Sequence, residues 1–361
     1  MKSRWFTPLL IALTLASIAV HFWSTNEPLR FTLASISLLL WAALLGKATE
    51  SVAHYAGERL GGFLNATFGN AAELIIAIFL VQKGLFDMVK ASITGSIIGN
   101  LLLVLGLSIF AGGLKFKTQS FNTLLAGHNA SLMLLAVIAL FSPAAFDTQL
   151  DPSEMETFSL IIAGLLIASY LLWLIFSMIT HKKELGEEPA VEVPTSDISQ
   201  TSVAHEEKPE WTKNRSILLL FIAAVFVAIQ SEWIVGSVEA VAHTLGWSEL
   251  FVGAFLIAII GNAAEHSAAI FLAMRNRIGA AVEIAVGSSL QIALFVAPAL
   301  VFISLLFGKT MNLTFTAIEI AAIAIAAFIA TSISRDGSTN WFEGVLLLIV
   351  YAILGTGFYL V

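Results

Sequence analysis

Long apolar runs alternate with short polar segments along almost the whole chain. Eleven of these runs are long enough to cross a bilayer, because a spanning helix needs about 20 mostly apolar residues. The predicted spans cover residues 5–24, 31–55, 60–81, 88–112, 121–141, 156–179, 215–243, 250–273, 280–306, 313–333 and 341–361. The segments between most of them are short and contain Gly, Pro, Asn or Asp, which favour turns. The pattern therefore predicts an all-α integral membrane protein with eleven transmembrane helices.

The composition supports a lipid bilayer as the main partner of this chain. Its 361 residues are 58% hydrophobic and only 12% charged, whereas soluble domains carry about 25% charged residues. The net charge of -7 is mild and no basic tract occurs, which argues against a nucleic-acid partner. The chain has no cysteine, so disulfides are excluded. The first apolar run is long for a signal peptide, and we interpret it as a retained helix, with a cleaved signal peptide as the alternative.

A sequence repeat relates the two halves of the chain at an offset of 192 residues. The segment GGFLNATFGNAAE at 61–73 aligns with GAFLIAIIGNAAE at 253–265, and nine of thirteen positions are identical. The pair Gly95-Ser96 falls on Gly287-Ser288 without a gap. Chance similarity between Ala- and Leu-rich helices explains scattered Ala and Leu matches, but it does not readily explain Gly, Asn and Glu at fixed spacing.

The number of spans between the repeats indicates that they have opposite orientations. Five predicted spans separate each helix from its counterpart, and an odd number reverses the direction of crossing. The sequence therefore predicts two inverted five-helix repeats, spans 2–6 and 7–11, plus an extra N-terminal helix. Inverted repeats are typical of secondary transporters, whose substrate site lies near the bilayer midplane between the repeats.

A polar, acidic, proline-containing segment separates the two repeats and is interpreted as an aqueous linker. The predicted units are therefore a first helix and loop at 1–30, an N-terminal repeat at 31–180, the acidic cytoplasmic linker at 181–214 and a C-terminal repeat at 215–361. The positive-inside rule sets the orientation. With a cytoplasmic N-terminus, thirteen Lys and Arg residues fall inside and four outside, so the C-terminus is predicted outside the cell membrane.

The duplicated GNAAE motif is the strongest candidate for a functional site. Asn70 and Glu73 are three residues apart and share one helix face, as do Asn262 and Glu265. Acidic residues inside predicted spans indicate functional sites by default, and neither helix carries a basic residue near its Glu at helical spacing. The other candidate ligands and bending points are small or polar and lie in the same helices or one helix later: Gly69, Gly261, Ser96, Ser288, Asn100 and Gln291.

This set of side chains is rich in oxygen, which is the ligand that hard cations such as calcium prefer. Two ionised Glu side chains carry the charge that balances one divalent ion, so Glu73 and Glu265 are the predicted metal ligands. Without the ion, two buried carboxylates repel each other and have lost their hydration, so we expect them to take up protons. Protons and the cation then compete for the same oxygens, which is a mechanism for coupled exchange.

With these motifs, the eleven predicted spans and the acidic linker, the chain resembles the cation/proton exchangers, in particular the bacterial calcium/proton antiporters of the calcium:cation antiporter superfamily. The resemblance covers essentially the whole chain. It implies that Glu73 and Glu265 bind the exchanged ions, that spans 2 and 7 tilt or bend, and that the protein is a homo-oligomer. It also implies calcium export driven by protons, with no cofactor beyond the transported calcium and protons. The repeat is only pseudo-symmetric, since Asn100 aligns with Ile292 and Gln291 with Gly99.

Several further polar residues are weaker candidates for the ion pathway or its gating. Glu50 with His54, and Glu239 with His243, share helix faces near opposite ends of the membrane and are predicted either to line acidic mouths or to be solvated helix ends. For Glu50, an ion pair with Lys47 is the simpler alternative. The remaining candidates are Glu232, deeper in span 7, and His128, at the start of span 5.

Calcium/proton antiport is the leading hypothesis from the sequence, and the protein is not expected to be an enzyme. One alternative is an exchanger of the same fold for sodium, potassium or manganese. A second is a cation channel, which an inverted repeat makes less favoured. A membrane-embedded hydrolase is disfavoured because neither HExxH nor GxSxG nor another nucleophile–base set occurs at workable spacing.

Overall fold

The computed structural model describes residues 5–56, 61, 64, 68–185 and 210–361, which are almost entirely helical. Ten of its helices are long and apolar enough to cross a membrane, by length and composition. The helices are α1 (Phe6–Trp23), α2 (Glu27–Ala56), α3 (Ala71–Lys83), α4 (Phe86–Phe116), α5 (Thr123–Phe146), α6 (Pro152–Thr180), α7 (Lys213–Leu245), α8 (Glu249–Ala273), α9 (Ile278–Leu306), α10 (Ala317–Ile333) and α11 (Trp341–Leu360). A short helix, Lys182–Leu185, follows α6.

The predicted spans agree closely with these helices. The third predicted span, 60–81, lies partly outside the described residues, and its described part includes α3, which is 13 residues long and is not among the ten spanning helices. A count of eleven crossings therefore stays a prediction. Most of the linker, residues 186–209, also lies outside the described residues.

Local sequence signals set the starts of several helices. Helix α6 starts with a capping box, in which Asp151 accepts from the backbone N–H of Glu154 at 2.9 Å and Glu154 accepts from the N–H of Asp151 at 3.0 Å. Capping of this kind satisfies backbone donors that a helix cannot pair internally. Thr316 with Glu319 starts α10 in the same way. These polar starts fix where each apolar helix begins.

The helices α4 and α9 form the centre of the molecule and are its most deeply buried spans. Both contain a π-helical segment, Gly99–Val104 in α4 and Ile292–Val296 in α9. Such segments widen a helix locally and often occur at functional sites. Large apolar side chains on outer helices remain exposed, among them Leu134, Phe141, Leu165, Leu172 and Phe328. Their exposure fits a surface that faces lipid rather than water.

Two short strands pair at one end of the bundle and connect the loop before α5 with the loop before α11. Strand β1 (Thr118–Ser120) pairs antiparallel with β2 (Ser338–Asn340), with Gln119 opposite Thr339. Six of the spanning helices lie between the two strands. An even number of crossings returns a chain to the side on which it started, so the pairing is consistent with six complete crossings.

Small residues allow α4 and α8 to approach closely. A Cβ atom placed on Gly95 would lie 1.8 Å from the backbone oxygen of Ala254 in α8, and one on Gly253 would lie 2.7 Å from the Cβ of Ala91. Real Cβ atoms do not approach other atoms this closely, and at both positions rigid backbone lies within 3 Å, at Ala254 for Gly95 and at Met88 for Gly253. Close backbone approach through small residues is a common basis of helix packing in membranes.

This close approach predicts unequal effects for the equivalent glycines Gly95 and Gly287. Gly95→Ala should lower the melting temperature in detergent by several degrees or prevent assembly, because α4 and α8 must separate to admit the methyl group. Gly287→Ala is the matched control, since no heavy atom of the described residues outside the local backbone lies within 4 Å of its Cβ position. Equal melting temperatures for the two variants would contradict the packing argument.

Candidate ion-binding site

The two GNAAE motifs meet where α3 and α8 contact each other. Gly69 and Asn70 form a turn just before α3, so Glu73 lies in the first turn of that helix and is 3% exposed. In α8 the helix continues through Gly261, and a Cβ placed on Gly261 would lie 3.4 Å from the Cβ of Glu73. The expected bend is thus a break at Gly69 but not at Gly261. The two repeats supply facing surfaces of one site.

Three helices converge on the carboxylate of Glu73. The hydroxyl of Ser96 in α4 donates a hydrogen bond to Glu73 Oε1. The amide nitrogen of Asn262 in α8 donates to Ser96 Oγ at 2.9 Å and to the backbone oxygen of Ala258 at 3.0 Å. Asn262 and Ser96 are both nearly fully buried. The chain Asn262–Ser96–Glu73 therefore links residues of both motifs.

The second acid has the equivalent serine contact. Ser288 Oγ in α9 donates to Glu265 Oε2 at 2.6 Å. In each half the serine follows its Glu by 23 residues. Residues that are equivalent in the sequence repeat therefore form equivalent hydrogen bonds. Glu265 is less enclosed than Glu73, since it is half-buried.

Two further side-chain pairs surround the acids and have no counterpart by the sequence alignment. Asn70 Nδ2 donates to Gln291 Oε1 at 3.0 Å, which joins the start of α3 to α9. His266 Nε2 lies 3.1 Å from Asn100 Oδ1, which joins α8 to the π segment of α4. These pairs make the site pseudo-symmetric, as the mismatched positions of Asn100 and Gln291 indicate.

The site retains oxygens that are free to accept a cation. Glu73 Oε2 and Asn70 Oδ1 are buried and form no hydrogen bond with any described residue. Buried acceptors normally have partners, because an unpaired one costs roughly 1–3 kcal/mol. A hard cation that prefers carboxylate and amide oxygens satisfies such atoms. Across the described ranges, no group of three or more His, Asp or Glu side chains is placed to hold a metal ion, and the other polar side chains that bond beside the two acids are Ser, Asn and Gln.

The negative charge of the site is not balanced by a basic side chain. Neither Glu73 nor Glu265 forms an ion pair with a Lys or Arg within the described parts of the chain. Buried charges in proteins are ordinarily paired or coordinate metals, because an isolated charge loses its hydration. Two acids without a cationic partner therefore favour protonation or a bound cation.

The weaker pathway candidates lie away from this cluster. Glu50, His54, Glu239 and His243 are exposed on α2 and α7, and Glu232 is exposed on α7. Among the described residues Lys47 forms no ion pair with Glu50, and its Nζ lies 4.0 Å from Glu210 Oε2.

His128 has an aromatic environment rather than an acidic one. Its ring centroid lies 5.2 Å from that of Phe176 and 6.0 Å from that of Trp173. His128 is half-buried, and its pathway role stays a prediction.

Some contacts of the site could not be read from the sequence. The motif indicates that Asn262 belongs with Glu265, yet the Asn262 amide nitrogen serves the Ser96–Glu73 pair of the other half. His266 follows the second motif directly, but only the fold brings it to Asn100. Spacing along one helix identifies residues that share a face, whereas these partners come from different helices.

A multi-pass helical membrane protein with a doubled acidic motif between its central helices belongs to the transporter class. The chain is, more narrowly, a member of the sodium/calcium exchanger protein family, whose family model matches residues 26–179 and 215–360.

Several similar proteins cover nearly the whole chain. The Ca(2+)/H(+) antiporter ChaA of Bacillus subtilis is 45% identical over 331 residues, which is 91% of this chain and 92% of that protein. The Ca(2+)/H(+) antiporter of Synechocystis is 42% identical over 369 residues, which is 99% of this chain and 98% of that protein. The solved structure of native YfkE has a TM-score of 0.84 and 39% identity, and the match covers 99% of this chain and 100% of that chain.

Proposed function

We propose that this protein exchanges calcium for protons across the cell membrane by alternating access, with Glu73 and Glu265 binding either calcium or protons. The observation that carries the proposal is the pair of equivalent Ser–Glu contacts, Ser96 with Glu73 and Ser288 with Glu265, between contacting helices. Relatives of nearly the same length that are named calcium/proton antiporters support it independently.

Competition between the two ions follows from the chemistry of the site. Calcium needs ionised carboxylates and several neutral oxygens, and the nearest ones here belong to Asn70, Asn262, Ser96 and Ser288. Protons neutralise the same two carboxylates and remove their attraction for the cation. If the protein reorients only when the two acids are neutralised, by protons or by calcium, each reorientation carries one kind of ion and the exchange is obligatory.

The proposal includes eleven crossings and two inverted repeats. The end of α2 lies with the end of the linker, because Tyr55 Oη donates to the backbone oxygen of Trp211 at 2.9 Å. The end of α3 lies with the loop before α10, because Lys309 Nζ donates to the backbone oxygen of Gln82 at 2.9 Å. That loop also meets the start of α6, where Thr310 bonds to Glu156 at 2.6 Å. Since α6 runs from this end to the linker end, Tyr55 and Gln82 lie at opposite ends, which supports a crossing between them.

Orientation, pathway and assembly are part of the same proposal. The positive-inside rule favours a cytoplasmic N-terminus and linker and an outside C-terminus. Glu50 and His54 then lie towards the cytoplasm and Glu239 and His243 towards the outside, where exposed acids on α2 and α7 would attract cations before they reach the site. A homo-oligomer is proposed from the family resemblance alone.

The first test is transport by carboxamide variants of the two acids. Proteoliposomes loaded at acidic pH are diluted into radioactive calcium at neutral pH. Wild type should take up calcium only with the proton gradient present, whereas Glu73→Gln and Glu265→Gln should each lose at least about 90% of this uptake, because a carboxamide neither titrates nor carries charge. Glu319→Gln is the matched control.

Glu319 is a suitable control because it is also a buried acid, but it belongs to the capping box of α10 with Thr316. Full transport by either site variant would refute the assignment of that acid. Uptake driven equally well by a sodium gradient would favour a sodium-coupled exchanger, and uptake of manganese without calcium would favour a different cargo. A current that needs no proton gradient would favour a channel.

The second test concerns the serine that connects both motifs. Ser96→Ala removes the donor to Glu73 and the acceptor of Asn262, so calcium affinity at pH 8 should fall by roughly tenfold in calorimetric titrations. Ser289→Ala is the matched control, since Ser289 is equally buried but its hydroxyl donates to the backbone oxygens of Ala285 in its own helix at 2.9 Å and of Ile97 in α4 at 3.5 Å, and not to either acid. Equal affinities for the two variants would contradict the role of Ser96.

The third test is the pH dependence of calcium affinity in wild type. Because protonation removes the charge that attracts calcium, the apparent dissociation constant should rise as pH falls, and calcium addition should release protons into a weakly buffered solution. An affinity that stays constant between pH 5.5 and 8.5, with no proton release, would contradict competition at one site.

A further inference from the structure

The helices α1, α2 and α7 form a separate layer of the molecule, here called the outer layer. Helices α2 and α7 pack on each other along their length, and α1 packs on α2. Polar side chains hold the layer together at bilayer depth: Ser17 Oγ donates to Gln230 Oε1 at 2.8 Å, and Trp41 Nε1 donates to Thr14 Oγ1 at 2.9 Å. Hydrogen bonds between membrane helices stabilise their association. We therefore expect the outer layer to move as one body.

The outer layer meets the rest of the described protein chiefly through two helices. Helix α7 packs on α3, and α2 packs on α8. These are the helices that carry Glu73 and Glu265. Any displacement of the outer layer therefore slides it along the helices of the ion site.

A lysine crosses one of these two interfaces. Lys83, the last residue of α3, donates a hydrogen bond from Nζ to the backbone oxygen of Val235 in α7 at 2.9 Å. A lysine at the end of a helix ordinarily interacts with its own terminal carbonyl groups. Here Gly84, with φ of 85°, already closes the end of α3, because its N–H bonds to the backbone oxygens of Leu80 and Val81. The ammonium group of Lys83 is therefore available to α7.

The accepting carbonyl belongs to a perturbed stretch of α7. Ser237 Oγ donates to the backbone oxygens of Trp233 at 2.9 Å and Ile234 at 3.3 Å, so three successive carbonyl groups receive side-chain donors. Side-chain donors of this kind compete with helix hydrogen bonds and often bend helices. Gly236 lies in the same turn, and no described residue outside the local helix lies within 4 Å of its Cβ position. We therefore expect this turn of α7 to bend more readily than its neighbours.

We propose that Lys83 is a positioning residue that holds the outer layer at one of its two positions relative to the ion site. The proposal rests on the proposed alternating-access function. Lys83 is ten residues after Glu73 on one rigid helix, about 15 Å along its axis, so it fixes α7 to the element that carries the acid without touching the ion. When the outer layer shifts, this hydrogen bond breaks or is replaced by one to another carbonyl group. Its strength therefore sets the relative populations of the two positions of the outer layer.

The test measures the position of α7 directly. Because the chain has no cysteine, spin labels on Gln82→Cys and Thr244→Cys, two exposed positions, report the distance between the ends of α3 and α7 by pulsed electron paramagnetic resonance. In liposomes, Lys83→Met should change the ratio of the two distance populations by roughly three- to tenfold. Turnover in the exchange assay should change with it, while calcium affinity at equilibrium changes less than turnover.

Two variants serve as controls. Lys90→Met removes the same charge from the neighbouring helix, but Lys90 Nζ donates to the backbone oxygen of Thr314 at 3.0 Å and not to α7. We expect it to leave the distance distribution unchanged. Lys83→Arg retains a cationic donor and should restore most of the wild-type distribution.

An unchanged distribution in Lys83→Met, or an equal change in Lys90→Met, would overturn the role of Lys83. A Lys83→Arg variant as disturbed as Lys83→Met would also overturn it. These results test the role of Lys83 separately from the proposed function. The proposed function is tested by transport in unlabelled Glu73→Gln and Glu265→Gln.

Discussion

The structure depends on the burial of two acidic side chains between contacting helices, where no Lys or Arg of the described residues forms an ion pair with either acid. Glu73 and Glu265 receive hydrogen bonds from Ser96 and Ser288, yet hydrogen bonds from hydroxyl groups do not neutralise a carboxylate. Burying an unpaired charge is costly, and the cost falls when a proton or a cation is bound. A proton or a cation would each stabilise these acids, and these are the two ions of the proposed exchange.

The packing of the surrounding helices accommodates the two buried acids. Gly95 and Gly253 let α4 and α8 approach until backbone and small side chains touch. The break at Gly69-Asn70 places Glu73 in a first helical turn, and backbone N–H groups at a helix start favour negative charge. Around this rigid centre, the outer layer of α1, α2 and α7 contacts chiefly the two acid-bearing helices. A static core with a separable layer is a suitable architecture for alternating access.

The two halves of the site are equivalent in chemistry and unequal in geometry. Both acids accept from a serine 23 residues later, but Glu73 is nearly fully buried and Glu265 is half-buried. A helix break stands at Gly69, whereas the helix continues through Gly261. In the proposed alternating-access cycle, two inverted halves would adopt different conformations in any one state. The observed asymmetry is consistent with one state of that proposed cycle.

The sequence by itself determined the membrane class, the positions of the apolar helices and the two acids, because these follow from hydropathy, periodicity and a motif repeated at fixed spacing. It also identified Ser96 and Ser288, since a repeat marks equivalent positions wherever they fold. Only the tertiary structure decided that Asn262 serves the opposite acid, that Lys47 lies by Glu210 rather than Glu50, and that Lys83 reaches α7. Each of these contacts joins different helices. Spacing along one helix fixes which residues share a face, but the packing of small residues between helices fixes which faces meet.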